Sequence, residues 1–250
     1  MTWGMNVIDL NSKTAISERV TYLVDERIDA AAAAEPRRGY LGASVVGLPC
    51  ERQVQYHYLC ALGRVERRVP GARVARIFDR GHVYEEKARR WLKAAGFVFA
   101  TKNGNAFSDF NRRFGGHVDG VIGAWRRADV ECPLNLPVLW ECKCLGEKNF
   151  NRLQKERLRK YSSTYFAQVQ LYMGYLGLDS CLFTAINANS MAFFHQLVRF
   201  DPNEFSLCRA RVAAVIETTE NGSFLPRCTQ NRDFFQCKWC DFSDRCWNDH

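Results

Sequence analysis

A chain of 250 residues with 47% apolar side chains can bury a sizeable core, as one large domain or two small ones. Its net charge of +8 and pI of about 9.0 favour a polyanionic partner. No apolar run approaches the roughly 20 residues that span a bilayer, and the segment before Glu18 lacks the apolar core of an export signal, so no membrane association and a cytoplasmic location are expected.

In chain order, Val20, Leu23, Val24 and Ile28 recur at helical spacing and Ala30–Ala34 favours helix, which predicts a helix over residues 15–34. Glu35-Pro36-Arg37-Arg38-Gly39 ends it. Ser44 is then expected to cap a helix that runs through Cys60 and carries Cys50 near its start. After Pro70-Gly71, a long helix is predicted over residues 73–95. Three strand-like segments follow, around residues 97–101, 113–124 and 137–144. Residues 147–175 read as helix with a break near Ser162-Ser163. Residues 181–188 and 191–200 read as strands flanking a turn at Asn189-Ser190. Asp201 caps a last helix, with Pro202 at its first position and Glu204 in its first turn, ending near Asn221-Gly222. These elements predict an α/β fold: a mixed central sheet flanked by helices, with N-terminal helices and a C-terminal cysteine-rich tail. A single domain is expected over 1–250, with a helical part to residue 70, a core over 71–222 and the tail from 223.

The middle strands carry a charged pattern. Glu141 and Lys143 are two apart on an apolar strand and therefore share a face, while Cys142 and Cys144 point oppositely. His117 and Asp119 are read as a similar pair on the preceding strand. If the two strands are neighbours, Asp119 and Glu141 can converge on a hard cation such as Mg²⁺ or Mn²⁺, with Lys143 free to orient a water or steady developing charge. Two helices add polar pairs. Gly81-His82-Val83-Tyr84-Glu85-Glu86 can present a nitrogen and a carboxylate on one face, and Gln168 and Tyr172 lie four apart.

At these residues the chain resembles the RecB-like branch of the PD-(D/E)XK nuclease superfamily, from about Gly39 onward. That branch orders a Gly-x-x-x-His/Glu helix, a strand Asp, a Glu-x-Lys and a Gln-x-x-x-Tyr helix. Gly81 with Glu85, Asp119, Glu141 with Lys143, and Gln168 with Tyr172 follow that order. The resemblance implies a restriction-endonuclease-like core and a catalytic set of Glu85, Asp119, Glu141, Lys143, Gln168 and Tyr172. It implies a metal held by Asp119, Glu141, the carbonyl of Cys142 and Glu85, with His82 a second choice. It also implies that Gln168 and Tyr172 position DNA and the lysine.

Eleven cysteines, an odd number with no export signal, argue for reduced thiols plus a metal site. Cys60, Cys132, Cys181 and Cys208 read as small buried hydrophobes. Cys237, Cys240 and Cys246 have metal-ligand spacing, and the fourth ligand is either Cys50 or Cys228. The layout is similar to iron–sulfur members of the same branch, among them the CRISPR-associated Cas-four proteins, the AddB nuclease domain and phage exonucleases. There one cysteine precedes the core and three follow it. The resemblance implies a [4Fe-4S] cluster on Cys50, Cys237, Cys240 and Cys246; a tetrahedral zinc centre satisfies the same spacing.

Lys148, Arg152, Lys155, Arg157, Arg159 and Lys160 make the helix after Glu-x-Lys basic. Arg152, Lys155 and Arg159 are expected to share a face that tracks a phosphate backbone, with Phe150 and Tyr161 nearby for stacking. A second basic set comprises Arg64, Arg67, Arg68, Arg73, Arg76 and Arg80. The leading expectation is a metal-dependent DNA exonuclease acting on single-stranded DNA or duplex ends, with a recombination or CRISPR-adaptation protein as a possible partner. If encoded by a phage, the chain would work in the host cytoplasm. Its rivals are a non-catalytic iron–sulfur nucleic-acid-binding or assembly subunit and a zinc-dependent regulator.

Overall fold

The computed structural model describes residues 15–66, 69–100 and 106–248. Arg67, Arg68 and Thr101, to which the sequence reading gave places, lie outside them. Two compact units are distinguished. The first holds α1 (Ala15–Ala34) and the opening turns of α3 (Ala72–Ala95), up to Arg80; within it Arg76 pairs with Asp25. No residue of α1 is buried, and Val20, Leu23 and Val24 are exposed.

The second unit carries both sheets. Three short strands, β1 (Leu41–Gly42), β4 (Phe114–His117) and β3 (Ala106–Asp109), form one sheet in the order β1-β4-β3. The five-stranded sheet runs β2 (Phe97–Phe99), β5 (Gly120–Trp125), β6 (Val138–Leu145), β7 (Ser180–Asn187), β8 (Phe193–Arg199). Its β6–β7 pair is parallel and the others antiparallel. The mixed α/β class expected from the sequence is the one observed. The segment read as one strand over 113–124 is instead two strands of different sheets, β4 and β5, with Val118 and Asp119 at the break.

Alternation along β6 sorts its side chains onto two cores. Leu139 and Leu145 join the larger core, built with Leu153 and Leu158 of α4 (Glu147–Tyr161), Val169, Leu171 and Met173 of α5 (Ser163–Leu176) and Val212 and Val215 of α6 (Pro202–Glu220). Val138, Trp140 and Cys142 join the opposite core, against Ala88 and Leu92 of α3. A third cluster fixes the tail, where Phe242 stacks on Tyr56 of α2 (Glu51–Ala61) at 5.3 Å between ring centroids.

Helix ends follow local chemistry. The Asp201 carboxylate accepts from the N–H groups of Asn203 and Glu204, and the Ser162 hydroxyl accepts from Tyr165 N–H, so each satisfies donors that a helix start leaves free. Gly177 ends α5 with φ of 65°. The helix expected to start at Ser44 begins later. Ser44 lies in a 3-10 turn, Ala43–Val45, and Cys50 is the N-cap of α2 rather than a residue inside it, Pro49 having ended the preceding turn. The tail folds into two short helices, α7 (Phe235–Lys238) and α8 (Ser243–Asn248). Cys60, Cys181 and Cys208 are buried as expected, but Cys132 is only partly covered, because it lies in the irregular loop before β6. Among the described residues no helix is long and apolar enough to cross a membrane.

Candidate active site

Strand register brings the charged residues together. β5 and β6 pair through Gly120 and Trp140, so Asp119, one step beyond, stands opposite Glu141. It is not a strand residue paired with His117, as the sequence reading had it; it occupies the bend where the chain leaves one sheet for the other. Its Oδ2 accepts from the N–H of Cys142 at 2.8 Å, which anchors the bend to β6. The Cys142 side chain turns to the α3 side, and burial, first, drives its thiol well above the ordinary range.

Glu141 is 1% exposed and its Oε1 accepts from Lys143 Nζ at 2.5 Å. Its Oε2 is buried and has no hydrogen-bond partner. Burial is the largest influence on this carboxyl and pushes it up; the neighbouring Asp119 adds to that, and Lys143 only partly offsets it. The same carboxylates raise Lys143 against the opposing effect of its own burial, so this side chain remains an ammonium.

Glu85 approaches from α3. Arg89, one turn later, donates to Glu85 Oε1 at 2.8 Å and to the carbonyl oxygen of Asp119 at 2.5 Å, and so ties helix to bend. Its guanidinium lies over the Trp140 and Phe99 rings. Burial and Asp119 push the Glu85 carboxyl up, against Arg89. His82 is exposed, and none of the contacts joining Glu85, Asp119, Glu141 and Lys143 includes it.

On the other side stands α5. Gln168 Nε2 donates to the Tyr172 hydroxyl at 2.9 Å, and burial, then the nearby Glu141, raises that phenol. Tyr172 meets Phe107 and the backbone at Gly116, where a Cβ would lie 2.7 Å from the Tyr172 ring. Tyr165, one turn before Gln168, was not singled out in the sequence. Its ring lies 5.4 Å from Lys143 Nζ and 6.4 Å from the Tyr161 ring, over which Arg152 stacks at 4.6 Å. The signal was available: Tyr165, Gln168 and Tyr172 are spaced three and four apart, which is one helical face of α5. Arg89 was also missed; a single arginine on a basic helix carries no signal of its own.

The shared face expected of Arg152, Lys155 and Arg159 is interrupted. Arg157 is non-helical, with φ of 63° and ψ of 163°, and the N–H of Leu158 turns to the Gln196 side chain. Beyond that kink Arg159 pairs with Asp201 at 3.2 Å and Glu204 at 3.7 Å. Arg152 and Lys155 precede it and are exposed, Arg152 pairing with Glu156 at 3.6 Å and donating to the carbonyl of Tyr161 at 3.0 Å.

The donor set of the first site suits a hard divalent cation: three carboxylates face two cationic side chains, and one buried carboxylate oxygen has no partner. In the tail, Cys50, Cys228, Cys237, Cys240 and Cys246 line one cavity. Burial first, then neighbouring thiols, holds Cys240 up at about 11. Five thiols around one cavity suit a soft or borderline metal. Among the described residues, no three His, Cys, Asp or Glu side chains are already gathered as a metal site, so ligation at either place requires side chains to draw in.

No protein-family model matches the chain, and no curated relative matches it. Among solved structures, it is similar to the alkaline exonuclease LHK-Exo from Laribacter hongkongensis, with a TM-score of 0.52. The complex of LHK-Exo with dAMP gives a TM-score of 0.55. In both cases identity is 20%, over 79% of this chain and 93% of the exonuclease. At that identity the likeness is one of fold, and the chain shares its fold with an alkaline exonuclease.

Proposed function

We propose that the protein is a metal-dependent deoxyribonuclease, an exonuclease acting on DNA ends or on single-stranded DNA. One observation carries this reading: a buried carboxylate, Glu141, stands opposite Asp119 with one oxygen held by Lys143 and the other without a partner. A side chain desolvated in this way costs stability and is retained where charge has work to do. The neighbouring fold, that of a protein described as an exonuclease, supports the same class of substrate.

Asp119 and Glu141 would hold Mg²⁺ or Mn²⁺, with the Cys142 carbonyl and Glu85 as the further candidates. The ion would polarise the phosphodiester and lower the pKa of its water. Lys143, kept protonated by its carboxylate neighbours, takes up no proton; it donates to the charge that develops on phosphate. Arg89 sets Glu85 and the Asp119 bend in place through its two hydrogen bonds. Gln168 fixes the Tyr172 hydroxyl, and Tyr165 covers Lys143 with a ring face. The chain of rings and cations from Lys143 through Tyr165 and Tyr161 to Arg152 supports a path for the phosphate backbone out of the site. In the tail, Cys50, Cys237, Cys240 and Cys246 would hold a [4Fe-4S] cluster, or zinc, that fastens α2 to the tail.

The test is cleavage of end-labelled single- and double-stranded DNA with Mg²⁺, Mn²⁺ or EDTA. Cleavage requires a cation and is lost in Glu141→Ala, while DNA binding remains measurable. Cleavage at the wild-type rate in that variant, or in EDTA, overturns the assignment.

A further inference from the structure

Five thiols border the tail cavity, one more than a four-ligand centre uses. Cys50 reaches it from the start of α2, Cys237, Cys240 and Cys246 from the tail, and Cys228 from the segment joining α6 to α7. Cys228 is exposed and stands in side-chain hydrogen-bond contact with Cys50.

That contact is built by the chain on either side. Two side chains of α2, each within five residues of Cys50, strap the segment before Cys228. Gln55 donates to the carbonyl of Ser223 at 2.7 Å and accepts from Leu225 N–H at 2.8 Å; Arg52 donates to the carbonyl of Leu225 at 2.6 Å. Gln55 is fully buried, so these bonds are shielded from competing water. On the far side, Arg227 donates to the carbonyl of Cys246 and lies over the Trp247 ring at 4.7 Å. Cys228 is therefore held beside Cys50 by bonds that involve no metal.

We propose that Cys50 and Cys228 are a disulfide-forming pair, an oxidation site that closes when the cavity holds no metal. The oxidant class is a peroxide. The exposed Cys228 sulfur attacks it first, gives a sulfenic acid and releases one water. The Cys50 sulfur then attacks the sulfenic sulfur; the S–S bond forms, the S–O bond breaks, and oxygen leaves with a proton as a second water. Two thiols lose two electrons in total and one peroxide gains them. Metal on Cys50 withholds one sulfur and blocks the reaction. The product is a covalent form of the clamp between α2 and the tail.

The inference concerns the cavity assigned above to the tail metal but needs only its thiols, and its test reads no cleavage, so failure of the nuclease reading leaves it standing. Full-length protein is stripped of metal with a chelator, treated with hydrogen peroxide, alkylated, and examined by non-reducing electrophoresis and peptide mass mapping. A faster-migrating monomer is expected, because the bond closes the loop from residue 50 to residue 228. Dithiothreitol reverses it, and Cys50 and Cys228 are recovered as one linked peptide. Cys228→Ser and Cys50→Ser each abolish the fast band; Cys228 is exposed, so its variant folds. A Cys237–Cys240 link closes too small a loop to change mobility. Recovery of that link alone, full alkylation of Cys50 and Cys228 after oxidation, or a fast band surviving in Cys228→Ser overturns the proposal.

Discussion

Lys143→Met tests the electrostatics of the candidate active site without reference to cleavage. Lys143 Nζ is the hydrogen-bond donor to Glu141 Oε1, and Glu141 Oε2 has none, so the substitution leaves a 1% exposed carboxylate with both oxygens unpaired. Breaking a buried pair from one side costs about 3–5 kcal/mol. The lower end applies here, because a carboxyl already pushed up by burial and Asp119 can take a proton instead of standing as a bare anion. Lys143 is itself 22% exposed at the side chain, too covered for solvent to screen the loss away. For a chain of this size 1 kcal/mol shifts Tm by about 2–4 °C, so the cation-free variant melts roughly 6–12 °C below wild type. Methionine keeps the volume and the apolar stem contacts, which confines the effect to charge. Added Mn²⁺ restores more of the loss in Lys143→Met than it adds to wild type, because the cation replaces the missing partner of Glu141. Thermal unfolding with and without Mn²⁺ reads both quantities. A cation-free Tm within 2 °C of wild type, or no difference in the Mn²⁺ response, would refute the claim that Lys143 neutralises a buried carboxylate.

Gly116→Ala places a methyl 2.7 Å from the Tyr172 ring and 2.8 Å from that of Phe107, an overpacking that costs about 1–3 kcal/mol, and DNA cleavage falls as Tyr172 is displaced; unchanged denaturant midpoint and activity count against that contact. Arg152→Ala with Lys155→Ala weakens DNA binding and lowers the salt slope by about one unit per lost phosphate contact, whereas Arg159→Ala changes it less, because two carboxylates, those of Asp201 and Glu204, engage Arg159 while Arg152 has only that of Glu156 at 3.6 Å. A salt titration in which Arg159 alone carries the slope would reverse this order. Anaerobically purified protein is expected to be brown, with Cys50→Ser bleaching it as fully as Cys240→Ser while Cys228→Ser keeps the colour. Elemental analysis that finds one zinc in a colourless protein would replace the cluster by a zinc centre.

Much of the fold was legible because local chemistry governs it. Asp201-Pro202, Ser162 and Gly177 mark helix ends through groups that satisfy or release backbone donors within a few residues, and those signals lie in the sequence itself. The alternation over Val138–Leu145 likewise reveals a strand with Glu141 and Lys143 on one face. The split of residues 113–124 was not legible, since an apolar run with glycines reads the same whether it stays in one sheet or crosses between two. Ser44 misled for a related reason: a capping residue is only permissive, and Pro49 with Cys50 set the actual start of α2.

The sequence by itself determined which residue types are available to the site and their order along the chain: Glu85, Asp119, Glu141 with Lys143, Gln168 with Tyr172, and five cysteines that end around one cavity. Tertiary structure decided what each touches. Register set Asp119 opposite Glu141, packing left Glu141 Oε2 without a partner, and Arg89 joined Glu85 to the Asp119 bend. A kink at Arg157 divided a basic face that helical periodicity had drawn as continuous, and the straps from α2 put Cys228 against Cys50. The physical reason is one of range. Propensity, capping and alternation act between residues a few positions apart, whereas desolvation and charge pairing depend on segments that meet only when the sheets and helices close.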